Sequence, residues 1–201
     1  MRIAIVNYEA GNLRSVETAL RRLSFEFEVV SRPEELLRAD KVVFPGVGDA
    51  GAVMRVLERT GLAEALREYY RSGRPMLGIC IGAQVVLERS EESDLACLGL
   101  VPGVARRLPG GPGLKVPHMG WNGVRFPAEH RLFEGIPQES SFYFVHSYYP
   151  EPAELQDVLC ETEYGIRFAS ALERENLTAV QFHPEKSGEF GLRLLSNFLS
   201  G

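Results

Sequence analysis

Pro75-Met76-Leu77-Gly78-Ile79-Cys80-Ile81-Gly82 opens on a short apolar run and closes on a cysteine framed by two glycines. Gly73 and Pro75 stop the helical pattern before it, so residues 75–79 read as a strand and 82–89 as the helix that follows. Cys80 then occupies the turn between a buried strand and a helix start. A helix start offers partial positive charge and free N–H groups, which favour a thiolate. Gly78 and Gly82 leave room for a tight turn that projects the sulfur out of the sheet, the geometry of the nucleophile turn in serine hydrolases. Taken alone, the pattern fits a reactive cysteine and a buried structural one equally well.

The residues around this segment extend it into a fold. Ile3–Val6, Phe25–Ser31 and Lys41–Phe44 read as strands. Helical patterns cover Gly11–Leu23, Ala50–Arg59 and Leu62–Ser72, the first with Leu13, Val16, Leu20 and Leu23 on one face. Short apolar strands alternating with helices predict an open, mostly parallel, doubly wound α/β sheet flanked by helices. After the loop Pro109-Gly110-Gly111-Pro112-Gly113 the pattern changes. Residues 123–126, 141–145, 157–162, 166–172 and 178–182 read as strands with few helices between them, which predicts additional antiparallel strands in the C-terminal half. A last helix is expected over 187–199. With no repeat, low-complexity tract or linker, residues 1–201 read as one domain.

Composition excludes several function classes. The 201 residues are 45% hydrophobic and carry a formal net charge of -5, so neither nucleic acid nor an anionic membrane is expected as a partner. No apolar run approaches the roughly 18 residues of a membrane span, and the N-terminal segment lacks the pattern of a secretory signal. The chain is expected to be cytoplasmic. Cys80, Cys97 and Cys160 are the three cysteines. They show neither paired disulfide spacing nor metal-ligand spacing, so no metal or cofactor is expected. Cys97 and Cys160 lie among apolar residues and read as core.

About a hundred residues after Cys80 comes Gln181-Phe182-His183-Pro184-Glu185. In an extended segment, residues two apart share a face, so Glu185 can orient the His183 imidazole and stabilise its protonated form. Cys80, His183 and Glu185 together supply a nucleophile, a base and an orienting acid. Acyl chemistry also needs oxyanion donors, for which the Ile81 N–H, at the helix start, and the glycine-rich loop around Val47 are candidates. Val47 belongs to Pro45-Gly46-Val47-Gly48, a loop that follows another strand and should lie on the same sheet edge. Residues 46–51 also match G-x-G-x-x-G. That match follows the wrong strand and lacks the acidic residue about 20 positions on that a dinucleotide site expects.

These segments resemble the triad glutamine amidotransferases, which hydrolyse glutamine to glutamate and ammonia. Pro117-His118-Met119-Gly120-Trp121-Asn122, Tyr143-Phe144-Val145-His146-Ser147-Tyr148 and His183-Pro184-Glu185-Lys186-Ser187-Gly188 narrow the resemblance to the glutaminase subunits of imidazole glycerol phosphate synthase, in histidine biosynthesis. The resemblance implies attack of Cys80 on the glutamine side-chain amide, with a glutamyl thioester as intermediate and the Val47 and Ile81 N–H groups holding the oxyanion. It implies glutamine contacts from Gly46, Gly48, Gln84, Glu92, His146, Ser147 and Tyr148. It also implies a separate cyclase subunit, a β/α barrel, as the ammonia acceptor, with Asn12, His118, Trp121, Tyr143 and Lys186 near the partner face. Asn7-Tyr8-Glu9-Ala10-Gly11-Asn12 departs from the family's Asp-Tyr-Gly-x-Gly-Asn, and Glu9 adopts positive φ less readily than glycine. The triad alone leaves other readings open: a glutaminase serving another synthase, a γ-glutamyl hydrolase or cysteine peptidase, and a regulatory subunit that only keeps the fold.

Overall fold

The computed structural model describes residues 1–8, 13–93, 95–111 and 113–201. The expected helix start at Gly11, the Glu9 departure, Asn12 and Pro112 of the expected loop lie outside the described residues. Five strands form the parallel part of the main sheet: β1 (Ile3–Val6), β2 (Glu28–Val30), β3 (Lys41–Phe44), β4 (Met76–Ile79) and β13 (Leu177–Val180). Two antiparallel strands, β11 (Val158–Tyr164) and β12 (Ile166–Arg174), extend it, giving the order β11-β12-β13-β4-β3-β1-β2. This is the expected mixed α/β sheet with its antiparallel additions.

Both faces of the parallel strands are covered. In β1, Ala4 and Val6 join one apolar cluster while Ile3 and Ile5 join the other. This alternation explains why such strands read as continuous apolar runs. Helices α2 (Pro33–Leu36), α3 (Ala50–Thr60) and α4 (Leu62–Arg71) cover the first face. Helices α1 (Leu13–Arg22) and α6 (Gly188–Ser200) cover the second. Asp49 caps α3 by accepting from the Ala52 N–H at 2.8 Å. Gly61, at φ 76°, turns α3 directly into α4, a left-handed conformation that glycine adopts cheaply. Lys41 is buried and donates to the carbonyls of Phe198 and Leu199 at 2.8 and 3.0 Å, tying β3 to the end of α6.

Four expectations needed correction. The strand expected over 178–182 among the antiparallel additions is β13, which pairs parallel to β4 and antiparallel only to β12. Helix α5 covers Ile81–Val85 rather than 82–89. The carbonyls of Val85, Val86 and Leu87 accept from the amides of residues 98–101 instead of from a further helical turn. The strand expected over 123–126 is β8, His118–Gly123, paired antiparallel with β9, Ser141–His146. Its polar and glycine residues show no apolar alternation, and its pairing partner is distant in sequence. A second sheet was not expected at all: β5 (Arg89–Ser90), β6 (Leu95–Ala96), β7 (Gly103–Arg107) and β10 (Tyr148–Pro152), in the order β10-β7-β5-β6.

Candidate active site

The carboxyl ends of four adjacent strands carry the site. Tyr8 follows β1, the loop 45–48 follows β3, Cys80 follows β4 and His183 lies just beyond β13. In open parallel sheets this edge is where ligands bind.

Cys80 has φ 57° and ψ -104°, a strained conformation for a residue with a side chain. The strain is held from both sides. The Cys80 N–H donates to the Val180 carbonyl at 2.8 Å, and the Ala83 N–H donates to the Cys80 carbonyl at 2.9 Å. Gly82 is required because a Cβ there would stand 2.2 Å from the Phe44 carbonyl oxygen. Gly46 meets the same crowding, since its Cβ would stand 1.5 Å from the Tyr8 hydroxyl. The Tyr8 hydroxyl donates to the Pro45 carbonyl at 3.0 Å. Burial, with a smaller push from nearby Cys80, raises the Tyr8 pKa, so it remains a neutral donor.

His183 and Glu185 are nearly fully buried, and His183 Nδ1 lies 2.7 Å from Glu185 Oε1. A carboxylate accepts only, so Nδ1 carries the proton and a neutral ring keeps its lone pair on Nε2. The sequence suggested that extended backbone brings these two residues together; the structure differs. Residues 184–186 form a 3-10 turn, opened by Pro184. Ser187 braces the turn: its hydroxyl donates to the His183 carbonyl at 2.6 Å and accepts from the Tyr143 N–H at 2.9 Å. Burial by itself would lower the His183 pKa. Hydrogen bonding to Cys80 and Glu185, with the charges of both, outweighs it and raises the value to about 9. The arrangement can therefore hold a proton on His183 while the facing sulfur is anionic.

A cavity of about 280 Å³ opens beside Cys80 and is lined by Val47, Gly48, Ile81, Gln84, Glu92, His146, Ser147 and Tyr148. Gly46 is not among the lining residues and packs against Tyr8 and Ile81. Glu92 also supports the start of α3, where its carboxylate accepts from the Ala50 N–H at 2.7 Å. Burial raises the Glu92 pKa, the Ala50 bond opposes the rise and the Asp49 charge adds to it.

The four candidate partner residues within the described set separate. Trp121 is 58% exposed, its ring meets Tyr143 edge-on at 6.2 Å, and its edge lies over Gly188. Met119, not singled out in the sequence, is 63% exposed on the same face of β8. Lys186 is half-buried in the turn after His183. His118 instead turns inward, 3% exposed and stacked between Phe144 and Tyr164. Sequence reasoning also passed over Tyr8, Ser187 and Gln181. The signal for Gln181 was a polar residue at the end of the apolar run Leu177-Thr178-Ala179-Val180. Among the described residues, no group of three or more His, Cys, Asp or Glu side chains is placed to hold a metal ion.

The model of the family described as glutamine amidotransferase class-I matches residues 4–200. The imidazole glycerol phosphate synthase subunit HisH of Moorella thermoacetica is 51% identical over 197 residues, covering 98% of this chain and 93% of that protein. The subunit of the same name from Herpetosiphon aurantiacus is 50% identical over 198 residues, with 98% and 93% covered. The solved structure of PurLQS from Thermotoga maritima matches with a TM-score of 0.77 at 17% identity, covering 99% of this chain and 97% of that one. A crystal structure of a glutamine amidotransferase matches with a TM-score of 0.73 at 22% identity, covering 98% and 97%. At these identities the two structures show the fold alone.

Proposed function

The chain belongs to the class-I glutamine amidotransferases, and we propose that it is the glutaminase subunit of an imidazole glycerol phosphate synthase, hydrolysing glutamine and passing the ammonia to a cyclase subunit. The observation that carries this reading is the strained Cys80 turn at the wall of a cavity, together with the buried His183–Glu185 pair whose imidazole interacts with Cys80.

Glutamine enters with its side-chain amide beside Cys80, and Gln84, Glu92, His146, Ser147 and Tyr148 surround its amino-acid end. The Cys80 sulfur attacks the amide carbon, and His183 holds the thiol proton. The resulting oxyanion is stabilised by the Val47 and Ile81 N–H groups, as fixed dipoles stabilise charge that develops only in the transition state. His183 delivers its proton to the amide nitrogen, the C–N bond breaks and ammonia leaves. A water then attacks the thioester, His183 takes its proton, and glutamate departs as Cys80 is regenerated. Glu185 keeps the imidazole in the tautomer that both transfers need.

The ammonia acceptor is a cyclase of β/α-barrel fold, working with this chain in the cytoplasm. Exposed Trp121, with Tyr143 and Lys186 beside the His183 turn, supports a docking face next to the catalytic residues. Asn12 is assigned to the same face on sequence resemblance.

The test is glutamate release from glutamine by the pure chain, alone and with the cyclase plus its nucleotide ligand. Release strongly increased by partner and ligand supports the coupled reading. Release that is full without the cyclase, and indifferent to it, overturns the pathway assignment. Cys80→Ala should abolish release while preserving cyclase binding; retained release would remove Cys80 as nucleophile.

A further inference from the structure

Gln181 is fully buried just beyond β13, its backbone N–H bonded to the Ser170 carbonyl at 2.9 Å. Its side-chain Nε2 lies 3.7 Å from Cys80 Sγ, within reach of an N–H···S hydrogen bond. Its Oε1 accepts from Gln84 Nε2 at 3.1 Å, and the same Nε2 donates to the Tyr148 carbonyl at 3.0 Å. An amide nitrogen has two protons, so Gln84 is fully committed on that side.

The Tyr148 carbonyl, which can only accept, sets the direction on both of its sides. The Tyr148 carbonyl also faces His146 Nδ1 at 2.8 Å. A carbonyl accepts only, so Nδ1 carries the proton and Nε2 of the neutral ring accepts. The partner of that Nε2 is His118 Nδ1 at 3.0 Å, which must therefore be the donor. His118 Nε2 then accepts from Asn122 Nδ2 at 3.4 Å. Asn122 is itself fixed, because its Nδ2 donates to the Glu163 carbonyl at 2.9 Å and its Oδ1 accepts from the Gly123 N–H at 2.8 Å. Turning over either glutamine amide, or moving the proton of either ring to Nε2, would set like against like at a neighbour.

We propose that Gln181 is a further catalytic residue, donating its amide N–H to the Cys80 sulfur, and that Gln84, itself held by the Tyr148 carbonyl, is a positioning residue that fixes the direction of that donation. This rests on the reading of Cys80 as the nucleophile. A donor aimed at sulfur favours its anionic form over the thiol. It acts when the thiolate attacks and again when the thioester sulfur leaves. Burial lowers the pKa of His118 to about 4 and, with smaller contributions from the neighbouring histidines, that of His146 to about 3. Both rings are thereby kept uncharged behind the Tyr148 carbonyl that holds Gln84.

The experiment is alkylation of Cys80 by iodoacetamide in the full chain at pH 7, followed by mass spectrometry, which needs neither glutamine nor the cyclase. Cys97 and Cys160 serve as internal references, since burial raises both their pKa values, that of Cys97 to about 11. Gln181→Met should slow alkylation roughly tenfold, the scale of one hydrogen bond to an anion. Gln84→Met should slow it less, and the double variant should be no slower than Gln181→Met. A Gln181→Met rate within twofold of the parent, or effects that multiply in the double variant, overturns the proposal. A parent Cys80 no more reactive than Cys160 overturns the nucleophile reading and this proposal with it. Should the methionine variants not fold, ¹⁵N NMR of the unmodified chain decides: the Gln181 side-chain amide signal should move on Cys80→Ala. An unmoved signal overturns the proposal.

Discussion

Gly82→Ala sets two opposing effects against each other, and the structure decides which wins. Gly82 is the second residue of α5, and alanine in a helix is favoured over glycine by about 1 kcal/mol. On propensity alone the substitution would stabilise the protein. The new Cβ, however, would stand 2.2 Å from the Phe44 carbonyl oxygen, which belongs to the backbone of β3. Carbon–oxygen contacts relax at about 3.3 Å or more, so the turn and the strand end must separate by roughly 1 Å. Neither side yields easily, because β3 is hydrogen-bonded to β1 and β4 and the turn is bonded to Val180. Overpacking of this kind costs about 3 kcal/mol. The net loss is about 2 kcal/mol, a fall in melting temperature of roughly 4–8 °C for a chain of this size. The same movement carries Cys80 away from His183, and a displacement of about 1 Å at reacting groups lowers a rate about 100-fold. Thermal unfolding by circular dichroism, with glutamate release from the folded variant, measures both. A variant that melts at or above the parent temperature with unreduced release would refute the packing argument.

Further outcomes follow from other contacts. Glu185→Gln can present an amide N–H to His183 Nδ1 and so impose the wrong tautomer; glutamate release should drop on the order of 10³–10⁴-fold, and a loss under tenfold would contradict the orienting role. The folded-state pKa of His183, raised to about 9, contributes stability that is fully present below about pH 6.5 and is lost as pH rises through 9. In urea titrations, the deficit of Glu185→Gln relative to the parent should therefore be larger at pH 6 than at pH 9.5; a deficit that grows with pH would show the sign is wrong. ¹⁵N spectra should find the His118 and His146 rings neutral and protonated on Nδ1 at pH 5.5, and an imidazolium or Nε2–H form of either ring at that pH would contradict the bonds assigned from the Tyr148 carbonyl to His118. Lys41→Met leaves the Phe198 and Leu199 carbonyls without their buried donor, so stability should fall by about 2 kcal/mol while glutamate release per folded molecule is unchanged. A stability unchanged in denaturant would contradict the tie between β3 and α6.

What the sequence by itself determined was whatever a short stretch of chain specifies. The strands of the parallel sheet are legible because burial on both faces makes them continuous apolar runs, as in Lys41–Phe44 and Met76–Ile79. The Cys80 turn is legible because only glycine tolerates the crowding at position 82. The pairing of His183 with Glu185 is legible because they lie two positions apart, although a 3-10 turn rather than extended backbone brings them together. Tertiary structure alone decided the second sheet, whose strands β5 and β6 are two residues each and leave no periodic pattern. It alone turned His118 inward while leaving Trp121 exposed on the same strand. It alone joined Gln84 to Gln181 across 97 residues and aimed the second amide at the sulfur. Side-chain direction at a buried polar position depends on which donors and acceptors the fold delivers there, and those come from strands that meet only when the sheet is assembled.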